Sequence, residues 1–126
     1  MKYLCLVYLE EGRLDELPDE DCVAYDTAIR SSGHCLASEA LQSVQTATTV
    51  RVRRGQVSVT DGPFAETKEQ LAGFYMIEAK SLDEAIRLAA GIPPARIGSI
   101  EVRPIRQIRE TVAGVDALRH ASAENC

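Results

Sequence analysis

The sequence predicts an α+β domain, a ferredoxin-like split βαβ arrangement with an antiparallel sheet, two copies of which face each other as a dimeric α+β barrel. Three observations lead there. Strand-like and helix-like runs follow the order strand, helix, strand, hairpin, strand, helix, strand along the 126-residue chain. The hairpin places all its valines on one face. The strands carry apolar residues on both faces, which is more than one layer of two helices can cover, so a second copy is expected on the other side.

The elements can be justified in order. Tyr3 to Leu9 is short, continuous and apolar, as a central strand covered on both faces should be. "LPDEDCVAYDTAIRSSG" predicts a helix, with Pro18 at its first turn, acidic Asp19, Glu20 and Asp21 at its positive end, and Gly33 as its stop. Cys22, Tyr25 and Ile29 then share one helix face. "HCLASEAL" is a strand with small residues where branched ones are preferred. In "TATTVRVRRGQVSVTD", a two-residue turn at Arg54 and Gly55 pairs Val52 with Val57, Val50 with Val59 and Thr48 with Asp61.

"LAGFYMIEA" is the next strand, and Gly73 within it predicts a bulge or a close approach by another chain or a ligand. "SLDEAIRLAAG" is a helix opened by a Ser81 and Glu84 capping box, and "IPP" prevents its extension. "SIEVRPI" alternates Ile100 and Val102 against Glu101 and Arg103, with Pro104 placing it near an edge or an end. The domain is expected over residues 1–106. Residues 107–126 are expected to be a helical tail, peripheral or partly disordered, with Ile108, Val112, Val115 and Leu118 at helical spacing.

Composition limits the function classes. Hydrophobic residues make up 45% and charged residues 26%, as in an ordinary globular domain. A net charge of -5 argues against nucleic acid as the main partner, and Arg51 to Arg54 is the one basic run. No apolar run is long enough to span a bilayer, and the start lacks a cleavage signal, so a cytoplasmic location is expected. The cysteines Cys5, Cys22, Cys35 and Cys126 show neither CxxC pairing nor a histidine at metal-ligand spacing. No phosphate loop, nucleotide fingerprint or GxSxG elbow is present, so neither metal nor cofactor is expected.

The segment "TDGPFAETKEQLAGFY" is over-long for a hairpin closure, and it resembles the hallmark of the YciI-related proteins, in particular their DGPF-domain branch. The resemblance extends over "MKYLCLVY", the block from Leu41 to Ile86, and "IPPARIGSIEVRPI". It implies the dimeric α+β barrel already reached from pattern. It also implies one of two roles, either binding of a small molecule with cofactor-free elimination, isomerisation or lactone rearrangement, or a non-catalytic module acting with an extracytoplasmic-function sigma factor. Relatives that look like enzymes use a His and an Asp.

Site residues follow from this and from position. Gly62 before Pro63 turns the chain sharply and aims Asp61, either as a base or substrate anchor or as an Asx-turn residue. His34 is the one histidine outside the tail, so imidazole chemistry falls to it; the alternative is a solvent-facing side chain at the helix end. Phe64 belongs to the motif, and Glu66 and Lys68 are placed to clamp a polar substrate or to cover the cavity. Glu39, sharing strand parity with Cys35 and Ala37, is a cavity-facing or a solvated residue. Tyr8 and Tyr75 present phenols to a ligand or pack in the core. Arg96 is available for a substrate carboxylate or for a pair across the dimer.

Overall fold

The computed structural model describes residues 1–108, so the tail positions Val112, Val115, Leu118 and His120 lie outside the described residues. Six strands and two helices succeed one another: β1 (Lys2–Leu9), α1 (Asp19–Ser31), β2 (Cys35–Ala40), β3 (Thr48–Arg53), β4 (Gln56–Asp61), β5 (Gln70–Glu78), α2 (Leu82–Ala90) and β6 (Ser99–Pro104). Four of the strands form an antiparallel sheet in the order β2-β5-β1-β6. That order is the split βαβ arrangement the pattern predicts. β6 takes an edge, where Pro104 costs no ladder bond to a further strand.

β1 alternates strictly, with Tyr3, Cys5, Val7 and Leu9 buried on the helix-covered face. They pack with Ile29 of α1, Ala85 and Ala89 of α2, and Ile77 and Ile92. Each large apolar side chain so buried contributes about 1.5–3 kcal/mol. Cys5 is fully buried, and that burial pushes its thiol up to about 11, so it acts as a small apolar group. Tyr25 fastens the two helices to each other by donating its hydroxyl to the Leu88 carbonyl at 2.8 Å.

The opposite face carries Leu4, Leu6 and Tyr8 of β1 with their register partners Met76, Phe74 and Leu71 of β5, and no helix among the described residues covers it. At Gly73 the predicted bulge is present, and the close approach is made by the chain's own β2 backbone, not by another chain or a ligand. The register shifts beside it between Val7 and Tyr8, and a Cβ there would lie 2.8 Å from the Glu39 carbonyl of β2. A second irregularity was not legible: at Leu36 the pairing of β2 slips, so Cys35 and Ala37 fall on opposite faces. Glu39 therefore shares its face with Ala37 but not with Cys35, which corrects the expected parity.

β3 and β4 form a separate two-stranded arm. Its turn is as predicted: Arg54 and Gly55 have φ of 53° and 75°, the left-handed pair of a two-residue hairpin turn. The expected register holds from Thr48 with Asp61 to Arg53 with Gln56. The connection "EEGRLDEL" does more than link. Glu11 accepts from the Ser43 hydroxyl at 3.0 Å and from the Val44 backbone, tying the root of the arm to the exit of β1.

Candidate functional site

Titratable groups converge beneath α1. Cys22, Asp26 and Arg30 are spaced by four residues, so they share one stripe of the helix. That stripe looks down on Ser38 of β2 and Tyr75 of β5, which are register partners. The Tyr75 hydroxyl donates to Asp26 Oδ1, and Arg30 Nη2 donates to Ser38 Oγ at 2.8 Å. All five residues line a cavity of about 410 Å3, closed at its inner end by Val7 and Leu9 and at its rim by Leu14, Leu17 and Pro94.

Burial raises the Tyr75 phenol well above its ordinary value, and the bond to Asp26 adds to the rise, so Tyr75 keeps its proton and acts as a donor. Its ring meets Tyr25 edge-on, with centroids 5.4 Å apart, which fixes the direction of the hydroxyl. Burial also raises the Cys22 thiol, with Asp26, Asp19 and Asp21 adding to the effect, so Cys22 lacks the thiolate character of a nucleophile. Asp26 has one oxygen engaged by Tyr75, and no other side-chain hydrogen bond to it occurs among the described residues.

The residues expected from sequence are scattered. Tyr75 lies in this cavity, and Glu39 borders it. Asp61 and His34 do not meet. Asp61 lines an open hollow beside Gln70, at the start of β5, whereas His34 lies against Glu78 at its end. Eight strand steps at ~3.3 Å separate those ends by roughly 25 Å. His34 Nδ1 is 2.8 Å from the Glu78 carbonyl and 3.9 Å from Glu84, so it serves the strand end and α2. Asp61 is exposed and its carboxylate accepts no hydrogen bond among the described residues. The turn is held instead by Gly62 at φ 103°, whose N–H reaches the Ala47 carbonyl at 2.7 Å.

Arg96 is engaged within the chain, 3.1 Å from Asp21. Lys68 lies 3.8 Å from Glu10, and Glu66 and Lys68 share the open hollow with Asp61. Tyr8 and Phe64 border a second cavity of about 660 Å3, set between the arm, the loop after it and the uncovered sheet face. Tyr8 is the one titratable residue in that lining, whereas Asp61, Glu66 and Lys68 line the neighbouring open hollow.

Sequence reasoning missed Asp26, Arg30, Ser38 and Cys22 as a set. The spacing of four along α1 was the available signal, but nothing in the sequence says that Ser38 and Tyr75 are cross-strand partners beneath it.

The profile of the YCII-related domain matches residues 1–109. The chain belongs to the YCII-related domain family. An uncharacterized protein of Rhizobium meliloti is 54% identical to this YCII-related chain over 61 residues, which are 47% of the chain and 49% of that protein. The match therefore spans about half the length of that relative. Among solved structures, 5-chloro-2-hydroxyhydroquinone dehydrochlorinase from Burkholderia phenoliruptrix, in complex with 2,5-dihydroxybenzoquinone, superimposes with a TM-score of 0.54. Identity is 13%, and the match covers 86% of this chain and 96% of that one. At that identity the likeness is one of fold.

Proposed function

We propose that this YCII-related domain binds a small hydroxylated ring or carbonyl compound beneath α1 and moves a proton on it. Asp26 is the base, Tyr75 orients it, and Arg30 stands opposite the negative charge that develops. The observation that carries this is the Tyr75 to Asp26 hydrogen bond inside a cavity that also receives Arg30. A cavity of about 410 Å3 suits one ring and its substituents. The dehydrochlorinase of the same fold, seen with a dihydroxylated quinone, supports the substrate class.

In the step, the free oxygen of Asp26 takes a proton from the ligand. The released electron pair moves onto a ligand oxygen beside the Arg30 guanidinium, or expels a leaving group that departs with its bonding electrons. Tyr75 keeps its own proton throughout.

Thermal shift with 2,5-dihydroxybenzoquinone, catechol and small hydroxy acids tests binding. A ligand at a hundredfold its Kd stabilises the fold by about 2.7 kcal/mol. Deuterium exchange at the bound ligand's acidic C–H, followed by NMR, tests the base. Asp26→Asn is expected to bind within a few-fold of wild type and to slow exchange by about a hundredfold or more. Equal exchange in wild type and variant would remove Asp26 as the base, and no stabilisation by any of these compounds would remove the reading.

A further inference from the structure

We propose that Leu14 and Leu17 decide which compounds the site beneath α1 takes: they select rings that carry an alkyl substituent on the edge away from Arg30, and Arg13 is the positioning residue that holds them in place. The selection rests on the proton-transfer site proposed above. α1 gives the cavity a direction. Asp26 and Arg30 lie in its later turns, whereas residues 10–18 lead into its first. From Asp19, which lines the cavity at the start of the helix, to Arg30 is roughly 16 Å along the axis. A ring held at Asp26 with an oxygen toward Arg30 therefore sends its opposite edge toward the rim of Leu14, Leu17 and Pro94.

The two leucines are turned to the cavity and not to the core. Glu11–Glu16 forms a 3-10 turn, after which the Leu17 N–H donates to the Leu14 carbonyl at 3.2 Å. Residues three apart in such a turn eclipse, so Leu14 and Leu17 stand on one side, and both line the cavity. Neither belongs to the core cluster or packs against it, and Leu14 is 50% exposed. An apolar pair kept out of the core and set at a cavity rim gains its cover from what enters the cavity.

Arg13 fixes the pair. Its Nε and Nη2 donate to the two oxygens of Glu16 at 2.8 and 3.0 Å, which sets the guanidinium along the turn. Its Nη1 donates to the Ile97 carbonyl at 3.0 Å. Ile97 in turn donates its N–H to the Pro94 carbonyl at 3.1 Å, so Arg13 ties the two leucines to the third apolar residue of the rim without lining the cavity itself. The pair of Arg96 with Asp21 at 3.1 Å holds the Pro94 turn against the start of α1.

Isothermal titration of the full chain with catechol, 4-methylcatechol and 4-propylcatechol tests the selection. Each carbon buried at the rim should tighten binding about threefold to fourfold, so 4-propylcatechol is expected to bind about tenfold or more tighter than catechol. Leu14→Ser with Leu17→Ser should cut that ratio to about threefold or less. Arg13→Met, which keeps the stem and loses the bond to Ile97, should lower it by about threefold. A ratio between two ligands is not moved by a general loss of stability, and a cooperative thermal transition confirms that each variant folds. Catechol binding with no gain from the propyl group would overturn the selection and leave the site beneath α1 standing, as would a gain that survives in the leucine double variant. A ratio unchanged in Arg13→Met would overturn its positioning role. Failure of all three compounds to bind would remove the site and the selection together.

Discussion

At the scale of single residues, Gly98 is the most closely pressed of the described glycines. It lies where the turn Pro93–Arg96 hands the chain to β6. A Cβ built on Gly98 would stand 2.1 Å from the Tyr8 carbonyl and 2.9 Å from Leu9 Cβ, both on the central strand. Neither can retreat without disturbing the β1–β6 ladder. Gly98→Ala should therefore destabilise by about 1–3 kcal/mol or more, read as a fall in the urea midpoint at constant slope. Gly12→Ala meets nothing within 4 Å and should stay within about 0.5 kcal/mol. The contrast also marks a limit of sequence reading, because both glycines are followed by a polar residue, Arg13 and Ser99, and only the fold says which one is pressed. The same limit applies to Asp26. It sits between Tyr25 and Thr27 in a mixed helix, and its role depends on Tyr75, a residue far away in the chain.

At the scale of elements, the reliable signals were those that satisfy backbone groups locally. The Arg54–Gly55 turn fixed the arm's register, and the Ser81 half of the capping box at α2 formed: the Glu84 N–H donates to Ser81 Oγ at 3.2 Å, while Glu84 Oε1 accepts the N–H of Lys80, the residue before the cap, at 2.9 Å. What escaped was the slip at Leu36, because the small residues of β2 carry no alternation from which a bulge could be read. The cap has a pH signature. The Lys80 N–H, with His34, Lys80 and Arg87 adding to it, holds the Glu84 carboxyl below its ordinary 4.5. A carboxyl depressed in the folded state contributes stability that is complete above the unfolded value and is lost as pH falls through the folded one. Glu84→Gln lacks that titration. The gap in Tm between wild type and variant should therefore narrow as pH is lowered from about 6 to about 3, and a constant gap would show that the carboxylate's charge is not what caps α2.

At the scale of the whole molecule, the described residues separate into a packed unit and an arm whose two strands pair only with each other. None of residues 48–61 belongs to the buried core, and none of residues 41–71 lines the cavity beneath α1. The arm nevertheless leaves and rejoins the unit at one point, where the Gly62 N–H meets the Ala47 carbonyl at 2.7 Å. A splice there should be nearly free of strain, since shortening a connection whose ends already touch changes closure entropy by only about 2 kcal/mol. Replacing residues 48–61 with two glycines is accordingly expected to leave a cooperative thermal transition and an intact far-UV spectrum. Any ligand held beneath α1 should bind within a few-fold of its affinity for the full chain. The two readouts separate the ideas from one another: loss of cooperative folding would place the arm inside the folding unit, and loss of ligand binding alone would tie the cavity beneath α1 to the arm.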